Sequence, residues 1–139
     1  MYKRQLNEVD VQYVAVCDVR KVNREQAKAA VDTRYANQDC AIYTDFRDLL
    51  ARDDIDAVVI APGDRWHTPM STLAMQAGKD LYCEKPSTMT IAQGRTLVET
   101  AGRYGQIFQT GTQRRSEANF VFADELARSG MLGLSLIHI

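Results

Sequence analysis

The sequence predicts an α/β domain: a parallel sheet of βαβ units with helices on both faces. Three observations predict it. Short apolar runs, several of them rich in β-branched residues, alternate with segments of helical period. Polar capping residues open most of those segments, and glycine closes them. The 139 residues, 45% hydrophobic and 25% charged, have the composition of one ordinary domain with a core of its own.

Val11–Cys17 (VQYVAVC) is β-branched and aromatic, and reads as the first strand. Asn23 opens a helix, with Gln26 completing a capping box and Ala27, Ala30, Val31 and Tyr35 forming its apolar face. Ala41–Tyr43 is a short strand, and Asp45 caps a brief helix carrying Phe46, Leu49 and Leu50. Ile55–Ala61 (IDAVVIA) is nearly all apolar, as a strand buried on both faces should be. Pro62-Gly63 breaks it. Thr68-Pro69 then starts a helix, with a capping hydroxyl, proline in the first turn, and Met70, Leu73, Ala74 and Ala77 at helical spacing before Gly78. Asp80–Cys83 is the next strand. Thr90 and Gln93 form a second capping box on a helix that runs to Tyr104 and stops at Gly105. Ile107–Gly111 is the last strand, and Ser116 opens a helix through Phe120, Ala123 and Ala127 to about Gly130. Right-handed crossovers set the helices on both faces.

Composition excludes several classes of function. Seventeen basic and 18 acidic side chains leave a net charge of −1, so no basic surplus exists to neutralise a nucleic-acid backbone. The longest apolar stretch, Ala57–Ala61, is far too short to cross a bilayer, and no signal peptide is visible. Cys17, Cys40 and Cys83 are odd in number and lack C-x-x-C spacing. That argues against a disulfide framework or a zinc site and favours a reducing compartment, with the cytoplasm as the default.

The two ends do not read as protein. The tail Leu134–Ile139, written with the codons CTG TCT CTT ATA CAC ATC, has a reverse complement that encodes the start Met1–Gln5 when GTG initiates. Residues 1–5 and 134–139 are therefore expected to be one sequencing tag in two orientations, the translated mosaic end of a transposase. The plainer alternative is a real basic arm and a real apolar strand. With the tag, the natural protein extends in both directions.

In a parallel α/β sheet, ligands sit beyond the carboxyl ends of the strands. Asp18 follows the first strand there. An acid at that place accepts hydrogen bonds from the adenosine ribose of a dinucleotide and repels a 2′-phosphate, which favours NAD. Arg20 and Lys21 weaken that preference, since a basic group receives the phosphate of NADP. Equally, Asp18 is a common turn or cap residue. Ala61, Pro62, Gly63, Trp66 and His67 belong to the turn after the buried strand, where a helix N-terminus is aimed at phosphates. Trp66 packs on a cofactor or anchors the core; His67 donates near a nicotinamide or merely begins a helix. Glu84 and Lys85 precede Pro86, which holds Lys85 extended. The Lys85–Pro86 bond is trans by default, with cis open to it. An ammonium at that point stabilises a developing alkoxide, or forms a solvated pair with Glu84. Gln113, Arg114 and Arg115 reach a nicotinamide or an acidic substrate, or form a solvated turn.

Together VAVCDVR, YTDFRDLL, IDAVVIAPGDRWHTPM, AGKDLYCEKP and QTGTQRRS resemble the Gfo/Idh/MocA family of NAD(P)-dependent oxidoreductases, over Leu6–Gly133. The resemblance implies a partial Rossmann domain over residues 6–133. It gives ribose binding to Asp18 and phosphate and nicotinamide contacts to the Ala61–His67 turn. Nicotinamide and substrate positioning fall to Glu84 and Lys85, with Lys85 the catalytic residue, and a basic position near the active site falls to Arg115. It also implies a first strand and glycine loop ahead of Asp18 and a C-terminal substrate domain beyond Gly133, neither of which this sequence contains. Pro62-Gly63 stands where many members have Thr-Pro.

The expected parent enzyme passes hydride between NAD, or NADP, and a sugar- or polyol-like small molecule, as a homo-oligomer with no nucleic-acid, membrane or metal partner. The segment alone is expected neither to catalyse nor to bind NAD tightly. An NAD-dependent glycosidase and a non-catalytic nucleotide sensor are the alternatives; a methyltransferase shares the acid after its second strand.

Overall fold

The computed structural model describes residues 9–133; the proposed tags and Leu6 lie outside them. Five strands alternate with five helices: β1 (Ala15–Cys17), α1 (Lys21–Tyr35), β2 (Ala41–Tyr43), α2 (Phe46–Leu50), β3 (Ala57–Ile60), α3 (His67–Gln76), β4 (Asp80–Glu84), α4 (Ile91–Tyr104), β5 (Phe108–Gly111) and α5 (Ala118–Arg128). Two 3-10 turns, Asp64–Trp66 and Gln113–Ser116, precede α3 and α5.

All strand pairs are parallel, as βαβ connections require. β1 pairs with β2, Ala15 facing Ala41. β3, β4 and β5 form a second sheet in that order, with Val58 opposite Leu81 and Leu81 opposite Phe108. β1 and β3 are each paired on one edge only among the described residues.

The larger core gathers Leu50, Ile60, Ala74, Met75, Leu81, Cys83 and Leu97 from α2, β3, α3, β4 and α4. A smaller one joins Val31 and Cys40, with Tyr13, Val16, Ala30 and Tyr35 against them. Buried Lys79 bridges the larger half: its Nζ donates to the Arg52 carbonyl, 2.6 Å away.

Several local expectations shift for identifiable reasons. The first strand shortens because the backbone at Val11 and Tyr13 bonds instead to the Tyr35 hydroxyl, at 3.1 Å each. The Asn23 capping box does not form: α1 starts at Lys21 with Arg20 as an uncapped N-cap, and Asn23 turns back to Asp18. β3 is not buried on both faces. Ala57 and Val59 point to an exposed side, because no described helix covers it. The Thr68 hydroxyl caps nothing; it donates to the Ser87 carbonyl at 3.0 Å. The buried face of α3 is His67, Thr68, Ser71, Ala74 and Met75, while Leu73 is exposed. Hydrophobicity misplaced that face because three of its five residues are polar. α5 begins at Ala118 rather than Ser116 and buries no residue. Thr90 does cap α4, accepting from Gln93 N–H, but the returning Gln93 bond goes to Met89 N–H.

Candidate functional site at the strand ends

Four polar clusters follow β1, β3, β4 and β5. At β1, the Asp18 carboxylate is held by its own helix start. Oδ1 accepts from Arg20 N–H at 2.7 Å and Oδ2 from Asn23 Nδ2 at 2.9 Å, while Arg24 donates to the Asp18 carbonyl. Asp18 thus makes the contacts of a turn residue, and it keeps acceptor capacity, since a carboxylate offers about four lone-pair positions. The Arg20 side chain is exposed. Asn23, which sequence reasoning assigned to a cap, is the residue that orients Asp18.

At β3, Ala61, Pro62 and Gly63 are exposed and lead into the 3-10 turn. Trp66 is 46% exposed, so it is no core anchor. His67 is 1% exposed, with Nδ1 2.6 Å from the Pro86 carbonyl and Nε2 3.2 Å from that of Pro62. Both ring nitrogens face backbone oxygens, one from each of two loops.

At β4, Glu84 and Lys85 separate. Glu84 is 5% exposed; its Oε1 accepts from Gln113 Nε2 at 2.7 Å and its Oε2 from Lys85 N–H at 2.9 Å. Gln113 also accepts from the Tyr82 hydroxyl at 3.2 Å. Burial, then the nearby Glu84 charge, push Tyr82 above its ordinary range, which keeps it a donor. Glu84 and Gln113 therefore latch the end of β4 to the turn after β5, and each Glu84 oxygen, with one bond made, keeps acceptor capacity as Asp18 does. Gly111 permits this, since a Cβ there would stand 3.0 Å from Glu84 Oε1 and 3.1 Å from its Cα. Lys85 is exposed, and its ammonium makes no bond among the described residues. The Lys85–Pro86 peptide is cis.

The loop carrying Lys85 is pinned from several elements. His67 meets Pro86, Thr68 donates to Ser87, and the Ser87 hydroxyl donates to that of Thr110 at 3.2 Å. Sequence reasoning missed Thr68, Ser87 and Thr110 as partners, because a hydroxyl's partner depends on which loops meet in space. At β5, Arg114 stacks over the Phe120 ring, 4.9 Å from its centre, and Arg115 is exposed with no side-chain bond among the described residues. Among the described residues, no hydrogen bond joins Asp18, Arg20 or Arg115 to the Lys85 loop. A 200 Å³ cavity beside Tyr13 and Asp54 and an open 570 Å³ groove along Met89 and Val98 are lined by none of Asp18, Trp66, His67, Glu84, Lys85 or Arg115. Among the described residues, no group of three His, Cys, Asp or Glu could hold a metal ion, and no helix is long and apolar enough to cross a membrane.

Residues 2–112 match the model of the GFO_IDH_MocA oxidoreductase family, NAD-binding Rossmann fold. The chain belongs to this family. In doubly wound α/β sheets of this kind, ligands bind beyond the carboxyl ends of the strands, where the four clusters stand. Inositol 2-dehydrogenase of Salmonella typhimurium is 31% identical over 128 residues, 91% of this chain and 37% of that protein. A glycosyl hydrolase family 109 protein of Shewanella sp. is 35% identical over 97 residues, 67% of this chain and 21% of that one. Myo-inositol 2-dehydrogenase from Lactobacillus plantarum superposes with a TM-score of 0.78 at 27% identity, covering 95% of this chain and 38% of that one. The chain thus spans well under half the length of the relatives it matches.

Proposed function

We propose that residues 6–133 are part of the NAD-binding Rossmann domain of a longer oxidoreductase, which passes hydride between the nicotinamide and a sugar- or polyol-like substrate. The observation that carries this reading is Lys85: an exposed ammonium at the end of β4, on a loop fixed by Glu84, His67, Thr68 and Thr110. The inositol dehydrogenase relatives support the polyol.

The chain's residues fit the ribose and nicotinamide ends of NAD. Asp18 keeps acceptor positions for ribose hydroxyls, and Arg20 would receive a 2′-phosphate if NADP were used. Ala61, Pro62, Gly63 and Trp66 form an exposed wall, and Gly63 has open space around it. NAD, when bound, supplies the hydride acceptor. Lys85 orients the reacting substrate oxygen and stabilises the developing alkoxide, and Arg115 adds positive charge beside it. The sequence has no glycine ahead of Gly63, so the described residues offer no glycine loop for the pyrophosphate. The chain alone is accordingly proposed to bind NAD weakly and to lack activity. The exposed apolar residues of α5, Phe122 among them, support a homo-oligomeric parent, which light scattering tests.

In the full-length enzyme, Lys85→Ala is expected to lower NAD-dependent inositol oxidation by about 10²-fold or more. Unchanged turnover removes Lys85 from the chemistry. Calorimetric titration of NAD into this chain is expected to show no micromolar binding; such binding would overturn the incomplete-site reading. The glycosyl hydrolase relative favours a second reading, an NAD-dependent glycosidase that works by transient oxidation and elimination. Product analysis separates the two: a ketone with net NADH, or a cleaved glycoside with none.

A further inference from the structure

His67 is a buried imidazole behind the proposed site, and both its ring nitrogens face backbone oxygens rather than solvent. It sits at the first position of α3, 1% exposed, between two loops that are 24 residues apart in sequence at Pro62 and Pro86. At 2.6 Å from the Pro86 oxygen, Nδ1 must carry hydrogen, because two lone pairs do not meet at that distance. Nε2 stands 3.2 Å from the Pro62 oxygen, so the ring is in polar contact with both loops. The adjacent Thr68 adds a parallel tie to Ser87.

We propose that His67 is a positioning residue, a two-sided tie that sets the distance between the Pro62 turn and the Lys85-Pro86 loop and so fixes where the Lys85 ammonium stands. The Pro62 turn is one wall of the proposed nicotinamide site and Lys85 is its working group. A residue that spans both decides their separation without touching substrate. Neither Phe nor Leu does this, and Asn is too short to reach both carbonyls from the same backbone position. The consequence for Lys85 chemistry rests on the proposed oxidoreductase reading; the tie itself does not.

The test has two arms. In this chain, His67→Phe removes both polar contacts and keeps the ring volume. Hydrogen exchange at the Lys85, Ser87 and Thr88 amides is expected to speed up about tenfold, while Leu97 and Thr100 in α4 stay within about twofold of the parent. Unchanged exchange in the loop overturns the proposal. If His67→Phe fails to fold, His67→Gln, which retains a donor, takes its place under the same comparison. Loss of protection in α4 together with the loop in that variant would show a merely structural residue and overturn the proposal too. In the full-length enzyme, His67→Gln is expected to lower kcat about tenfold with KM for NAD within about twofold, since the tie acts on orientation. A matched rise in KM with kcat unchanged would overturn it. An unmodified full-length enzyme that oxidises no polyol sinks the functional reading and leaves the exchange result standing.

Discussion

The two halves of this molecule use the same βαβ unit and bury very different amounts. The three-stranded half holds seven buried residues in one cluster, including Met75 and Cys83 at 0% exposure. The two-stranded half buries only Val31 and Cys40. The difference teaches that two short parallel strands with one helix make a ledge, while a third strand and a second helix make a core. Site chemistry divides the same way. Asp18, on the smaller half, is oriented by neighbours two and five residues away. The Lys85 loop, on the larger half, is held by α3, β5 and the turn beyond it.

The largest expected break of this contrast is Met75→Ala, which empties the larger core and should cost about 2–5 kcal/mol in denaturant unfolding. Loss of the β3–β5 signals before those of β1–β2 would show that the halves unfold separately, whereas a single transition would show that α2 couples them. Next comes Gly111→Ala. Its methyl meets Glu84 backbone and carboxylate, so about 1–3 kcal/mol of destabilisation is expected, together with faster exchange at Lys85 N–H. A variant as stable as the parent would show that Glu84 can move aside.

Thr90→Ala sharpens the comparison within the larger half, at about 1 kcal/mol from the lost cap on α4, measured by thermal unfolding. A pH series adds the smaller half. The backbone N–H of Arg47, then its guanidinium, hold Asp45 below the ordinary carboxylate value of 3.8, and Arg52 does the same for Asp54. With folded values below unfolded ones, their contributions are complete above about pH 4 and are lost as pH falls further. Asp45→Asn should therefore flatten the urea midpoint between pH 4 and pH 2.5, by a small amount. The smallest effect concerns the thiols. Burial pushes Cys17, Cys40 and Cys83 all above their usual range, so access decides, and a thiol reagent should reach half-buried Cys17 first and the other two only on unfolding.

Residue order and periodicity determined much of this protein. They set five strands, the parallel α/β class, the Asp45 and Thr90 caps, the stops at Gly78 and Gly105, and the four polar clusters at strand ends, because each depends on residues a few positions apart. Tertiary structure alone decided which polar atoms remain free. His67, Glu84 and Gln113 look from the sequence like ligands for a cofactor, and each also takes a partner 19 or 29 residues away that joins two loops, His67 to Pro86 and Glu84 to Gln113. A side chain's neighbours along the chain say which chemistry it can perform. Only the chain's path through space says whether another loop has already taken the hydrogen bond.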